Sequence, residues 1–255
     1  MEVSQLTPAT GPCHGPRPSV CDFALQDPRM MTVEEAVAGR RSIRAFLPKP
    51  VPRELIERIL SIAGRAPSGS NVQPWRVWVL QGRARDEIVR EAVARYDRNE
   101  MSEREYDYYP VKWREPYLAR RRACGWGLYG TLGIGRTDKD KMHAQHARNY
   151  AFFDAPVGLI FSIDRDLGRG SWLDYGMFLE AIMVAARQFA LETCPQAAWL
   201  SFHDLLQRRL GIPPEETVVC GMAMGYPDRH ETVNTFTPER MKVEEFATFV
   251  DELRN

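Results

Sequence analysis

The chain carries no surplus of either charge: 34 Lys and Arg stand against 34 Asp and Glu, a formal net charge of +0. That balance removes the global electrostatic pull toward nucleic acid or an anionic membrane, so neither is expected as a partner. Cysteine is sparse. Cys13, Cys21, Cys124, Cys194 and Cys220 are odd in number and scattered without paired spacing, which argues against a disulfide framework and for the reducing cytoplasm. Long apolar runs are missing too, because the stretch from Gly176 to Leu191 is interrupted by Glu180 and Arg187 and is too short to cross a bilayer. Residues 1–29 hold prolines, glycines and polar residues but no apolar core of the ~7–15 residues a secretory signal needs, and read as a disordered extension. The chain also lacks an internal repeat and the glycine fingerprint of a dinucleotide-binding doubly wound fold. No metal is expected: Cys13, His14 and Cys21 make a poor zinc set, and His143 with His146 has no carboxylate partner in the pattern.

With 44% hydrophobic and 27% charged residues, the composition fits a globular protein, and residues 30–255 are read as one domain. Thr32 followed by Glu35 predicts a capping box and a short helix ending near Gly39. Pro52 fits the first turn of a second helix, in which Leu55, Ile56, Ile59, Leu60 and Ala63 recur at helical spacing. Trp75 to Leu80 reads as a strand, followed by a charged helix from about Arg85 to Tyr96. The pattern between Asn99 and Asn149 is irregular. Val157 to Ile163 and Val218 to Met224 are continuous apolar runs that suit buried strands. Trp172 to Leu191 is apolar nearly all round, so it needs burial on several sides, within a large core or against a second subunit. A final helix begins near Val243.

Two short segments carry chemistry. Arg40-Arg41-Ser42-Ile43-Arg44 offers three guanidiniums and a hydroxyl, forked donors that match phosphate oxygens, although a solvated face is the bland alternative. Ala66-Pro67-Ser68-Gly69-Ser70-Asn71-Val72-Gln73-Pro74-Trp75 reads as a tight turn whose Ser68, Asn71 and Gln73 present donors and acceptors beside an indole, enough to hold a polar ring or simply to make a loop. The basic run Arg120-Arg121-Arg122, near the acidic stretch Glu103 to Asp107, reads as solvated surface. Tyr106, Tyr108, Tyr109 and Trp113 crowd a polar region and form either a satellite core or a lid over a flat aromatic ligand.

The order helix, basic run, helix, Pro-Ser turn, strand resembles the amino-terminal half of the flavin-dependent nitroreductase family. The resemblance continues through Thr193-Cys194-Pro195-Gln196-Ala197-Ala198-Trp199, Cys220 to Pro227 and Arg240, and covers the chain from about Met31 onward. It implies an α+β nitroreductase-like fold, a mixed central sheet flanked by helices, in a domain-entwined homodimer. It further implies bound FMN and NAD(P)H as hydride donor in a ping-pong reduction of nitroaromatics to nitroso and hydroxylamine products. Arg40, Ser42, Arg44 and Arg240 would hold the phosphate and ribityl end, with Arg41 nearer the ring's carbonyl edge. Pro67, Ser68, Asn71 and Gln73 would hold the ring, in part from the partner subunit. Near the turn of Pro195, Gln196 and Ala197, the Ala197 amide would face the hydride-accepting nitrogen. Some members carry a second basic residue where Thr237 or Pro238 stands. No side chain is implied as acid, base or nucleophile. Tyr106, Tyr108, Tyr109 and Trp113 would form the substrate's roof, and Tyr106 to Pro110 with Arg148 to Pro156 most resembles the nitrobenzoate and nitrobenzene reductase branch.

The same fold serves reductive dehalogenation and ene or quinone reduction, and a flavin-binding protein without turnover is a further alternative. A thiol hydrolase built on Cys194 and His203 is the third class, though their spacing matches no hydrolase signature.

Overall fold

Thr32 and Glu35 make the expected capping box: the Glu35 amide donates to Thr32 Oγ1 at 3.1 Å and the Thr32 amide to the Glu35 carboxylate at 2.8 Å, opening helix α1 (Val33–Ala38). This computed structural model describes residues 31–253, so the reading of residues 1–29, with Cys13, His14 and Cys21, lies outside the described residues. From Thr32 onward the chain forms one unit. Helix α2 (Arg53–Ala63) follows, with Pro52 at its N-cap rather than inside its first turn, and buries Ile56, Ile59 and Ala63 at three-and-four spacing. Strand β1 (Arg76–Gln81) leads into helix α3 (Gly82–Asp97), which starts three residues before the predicted Arg85. Helices α4 (Tyr117–Thr131) and α5 (Lys139–Ala147) precede strand β2 (Val157–Asp164). Helix α6 (Arg169–Arg187), strand β3 (Glu192–Gln196), helix α7 (His203–Leu210), strand β4 (Glu216–Gly225) and a single turn, α8 (Val243–Phe246), complete the order.

The α+β class holds, with one correction. The strand order is β1-β2-β4-β3, and every pairing among the described residues is antiparallel, so the sheet is not mixed. The continuous apolar runs of β2 and β4 report burial on both faces, which parallel sheets usually have but which antiparallel ones share when both faces are covered. On one face Val157, Leu159, Phe161 and Ile163 of β2 pack with Met222 and Met224 of β4 against α2 and α6. On the other, Ile160 and Ala223 join an aromatic core of Tyr150, Phe152, Trp199 and Phe202 with α3 and α7. Two glycines make room there. A Cβ on Gly158 would sit 2.5 Å from the Phe152 ring and one on Gly221 would sit 2.3 Å from Trp199, and those two rings stack at 4.6 Å.

The region read as irregular contains α4 and α5. Neither helix buries a single residue, so no apolar stripe advertised them, and α4 also carries Gly125, Gly127 and Gly130. The segment before α4 is fastened by polar contacts instead. Ser102 donates to the Asp204 carboxylate, Arg95 Nη1 donates to the same group at 2.9 Å, and the Tyr106 hydroxyl donates to Val219 O at 2.5 Å.

Candidate functional site

The basic run leaves α1 and is laid between the edge of β3 and the carboxyl-terminal segment. The Ile43 amide donates to Thr193 O at 3.0 Å, and the Arg44 amide donates to Asn234 Oδ1 at 2.7 Å. Asn234 is itself buried, and its Nδ2 donates to Ala45 O at 2.9 Å and Asp228 O at 2.8 Å. Ile43 and Ala45 point into the protein, while Ser42 and Arg44 between and beside them stay partly exposed, the alternation of an extended chain.

A cavity of about 1250 Å³ opens beside this run, lined by Arg41, Ser42 and Arg44, by Phe236 to Met241, by Arg120 and Cys124 of α4, and by Glu245 and Phe246. Arg41, Arg44, Arg120 and Arg240 there outnumber Glu239 and Glu245, so the lining favours an anion. Arg41 Nη1 donates to Thr237 Oγ1 at 3.1 Å, and Arg240 Nη1 donates to Pro238 O and Glu239 O at 3.1 and 3.2 Å. Thr237 and Pro238, neither of them basic, thus serve as hydrogen-bond acceptors for the two arginines. Arg120, whose run reads from the sequence as solvated surface, adds a further guanidinium to the lining from α4. Phe236 was missed as well; its ring packs over Gly127 and ties α4 to this segment. Arg40 does not line the cavity and stands 3.6 Å from the Glu180 carboxylate on α6.

The Pro67 to Gln73 turn is not part of this lining: none of Pro67, Ser68, Asn71 or Gln73 borders the cavity. Ser70, Asn71 and Gln73 all adopt positive φ, at 49°, 57° and 52°. Non-glycine residues in this region cost of order 1–3 kcal/mol each and persist only where the surroundings hold them. Here the Gln73 amide donates to Ser68 Oγ at 3.0 Å, Gln73 Nε2 to Asn71 O at 3.2 Å, and the Gly69 amide to Asp174 Oδ2 on α6 at 3.0 Å.

Pro195 and Gln196 close strand β3, and Ala197 begins a 3-10 segment running to Phe202. Gln196 Nε2 donates to Asn149 O at 2.6 Å, whereas Gln196 Oε1 and Thr193 Oγ1 are buried without a partner in the described chain. Cys194 is buried, and burial pushes its thiol up against the weaker opposing pull of Arg44 and Ser42. His203 is engaged elsewhere, 3.0 Å from Glu103 O and 3.5 Å from Glu105, so Cys194 and His203 form no nucleophile-base pair. His143 sits 3.0 Å from Asp97, and no cluster of three or more metal-binding side chains occurs among the described residues.

The aromatic group divides. Tyr106 is fastened to the core, edge-on to Trp172 at 4.7 Å, and burial pushes its hydroxyl well up. Tyr108 and Tyr109 meet edge-on at 4.7 Å and remain about half exposed, with Trp113 at 5.5 Å from Tyr109 and the Arg121 guanidinium 4.8 Å above Trp113. None of the four lines the cavity.

An α+β fold with an antiparallel sheet and an arginine-lined cavity suited to an anionic ligand define the class of protein. Residues 37–226 match the Nitroreductase family, and the chain belongs to it. It is 41% identical over 221 residues to a chloronitrobenzene nitroreductase of Comamonas testosteroni, covering 86% of this chain and 97% of that one. It is 39% identical over 226 residues to a 4-nitrobenzoate reductase of Nocardioides sp. (strain LMS-CY), covering 88% and 92%. Among solved structures, it superposes with a TM-score of 0.83 and 36% identity on an FMN and NADPH-dependent nitroreductase, NfnB, from Sphigopyxis sp. strain HMH, over 87% of this chain and 100% of the other. The NfnB of Mycobacterium smegmatis in complex with NADPH superposes with a TM-score of 0.81 at 28% identity, over 85% and 97%.

Proposed function

We propose that the protein binds FMN and uses NAD(P)H to reduce nitroaromatic compounds, as a homodimer with its site at the subunit interface. The cavity of four guanidiniums and the Ser42 hydroxyl carries this reading, because its donor set and volume fit a phosphate-bearing ligand. FMN, when bound, supplies reversible two-electron transfer. The chain's part is positional. Ser42, Arg44 and Arg240 hold the phosphate and ribityl end, Arg41 leans toward the ring, and Arg40, outside the cavity and paired with Glu180, ties the run to α6. Ala197 offers its amide at the end of β3. The strained turn of Pro67, Ser68, Asn71 and Gln73 presents its groups outward, toward a second protomer. No buried acid or base is required, since protons can come from water, and the buried thiols of Cys194 and Cys220 are both held in their neutral form by burial.

The dimer rests on exposed apolar side chains around that turn. Val72 in the turn is 51% exposed, and Leu173 and Met177, on either side of the Asp174 that holds the turn, are 71% and 38% exposed. Apolar side chains so grouped mark an interaction surface. Relatives named for chloronitrobenzene and 4-nitrobenzoate point to substituted nitrobenzenes as the substrate class.

The test is the visible spectrum of the purified protein, before and after anaerobic NADPH and then a nitroaromatic. Yellow bands that bleach and return support the reading. A protein that stays colourless and cannot be reconstituted with FMN overturns it, and one whose bands NADPH or NADH cannot bleach is a flavin-binding protein without turnover.

A further inference from the structure

Arg187, the last residue of α6, joins α6 to α1, which the basic run leaves, and to β3, beside which that run is laid. Its Nη1 donates to Glu35 O at 2.6 Å and to Ala36 O at 2.7 Å, carbonyls in the final turns of α1, and its Nε donates to Glu192 Oε1 at 3.1 Å on β3. Both partners of the ion pair are only 12% exposed. The guanidinium occupies space that only glycine leaves open: a Cβ on Gly39 would stand 2.5 Å from Nη1 and 2.6 Å from Nη2. Gly39 has an ordinary helical φ of −84°, so its need here is for room rather than for backbone freedom. Directly after Gly39 come Arg40, Arg41, Ser42 and Arg44.

A short helix of six residues cannot fix its own orientation, and α1 lacks any basic residue in its last turn. Arg187 supplies that missing cation from another element, at the helix end where carbonyls face outward and positive charge is favoured. Its pairing with Glu192 holds the guanidinium's fork in place, since a buried cation without a partner is strongly disfavoured. Arg40 and Glu180, 3.6 Å apart, add a second tie between the basic run and α6.

We propose that Arg187 is a positioning residue for the phosphate-gripping run: through the carbonyls of α1 and the cradle at Gly39 it sets where Arg41, Ser42 and Arg44 stand relative to β3. It does not line the cavity. The inference rests on the proposed FMN site, and the two fail differently.

The experiment compares affinities for FMN and riboflavin, which differ only in the phosphate, by fluorescence titration of the reconstituted protein. In the wild type, FMN should bind more tightly than riboflavin; equal affinities would remove the phosphate site itself and with it the proposed function. In Arg187→Met, FMN affinity should fall about tenfold or more, the scale of a lost charge-assisted hydrogen bond, while riboflavin affinity changes less than about twofold. Arg187→Lys, which keeps the charge but loses the planar fork, should recover part of the FMN affinity. Gly39→Ala approaches from the other side, on an exposed residue, and should reproduce the phosphate-specific loss by displacing the guanidinium. Equal weakening of both flavins would mean that Arg187 is merely structural, and unchanged FMN affinity in Gly39→Ala and Arg187→Met would likewise overturn the proposal. Should Arg187→Met fail to fold, Gly39→Ala and Arg187→Lys decide the matter.

Discussion

Arg44 shows how a residue can be anchored by its backbone while its side chain lines a cavity. Its amide is fixed to Asn234, its carbonyl neighbour Ala45 is held by the same amide group, and its guanidinium is left beside the cavity. Arg44→Ala should therefore weaken FMN retention by about 1.5–3 kcal/mol with little effect on folding, read by equilibrium dialysis against a melting curve. Retention as strong as in the wild type would count against the phosphate site. Asn234→Ala should act the other way round. It strips partners from the buried amide and carbonyls that hold the run, costing about 1–3 kcal/mol of stability for each group left unsatisfied, measurable by denaturant titration. Cys194→Ser should leave turnover largely intact, because the buried thiol faces Ser42 and Pro195 rather than a base; abolished activity would reinstate the thiol as a participant.

Elements here divide into those that bury a face and those that do not. β2 and β4 form the middle of the sheet and carry the two glycines over which Phe152 and Trp199 lie. Adding one methyl there forces aromatic rings or backbone to move, so Gly221→Ala should cost about 1–3 kcal/mol, seen as a lower denaturation midpoint at unchanged slope. A neutral outcome would mean that Trp199 has another rotamer at hand. By contrast α4, without a buried residue, depends on Phe236 over Gly127 and on the fastened stretch before it. Its placement therefore belongs to the tertiary structure more than to its own sequence.

At the scale of the whole molecule, stability should depend on pH through the Asp204 cluster. Burial pushes the Asp204 carboxyl up, but the Ser102 hydroxyl and the Arg95 guanidinium pull it further down, leaving it below its ordinary value. A carboxyl depressed in the folded state contributes stability that is present above its unfolded pKa, about 3.9, and is lost as pH falls through the lower folded value. The stability advantage of the wild type over Asp204→Asn should accordingly shrink as pH falls below about 4, followed by thermal melts. A gap that stays constant would remove Asp204's ionisation from the account. His146 acts in a separate window: burial holds its imidazole below the usual range, aided by Arg104 and His143. Its contribution is therefore lost as pH falls from about 6.5 toward the lower folded value.

Local chemistry made much of this protein legible in advance. The Thr32–Glu35 box, the apolar stripe of α2, the runs of β2 and β4 and the two polar segments are each written in neighbouring residues, because capping, periodicity and turn formation are short-range effects. Strand direction was not legible, since burial on both faces gives the same apolar run in either sense. α4 and α5 were hidden because they bury nothing. Arg120, Phe236, Asn234 and Arg187 enter the account only because folding brings them to a run nearly 80 to 200 positions away, a distance over which no sequence period exists to read. The sequence by itself determined which chemical groups were available and which local elements could form; the tertiary structure decided which guanidiniums share a cavity, which one is spent on pinning a helix, and which turn is left facing outward. Those are matters of packing and burial, settled by contacts between residues that are remote along the chain.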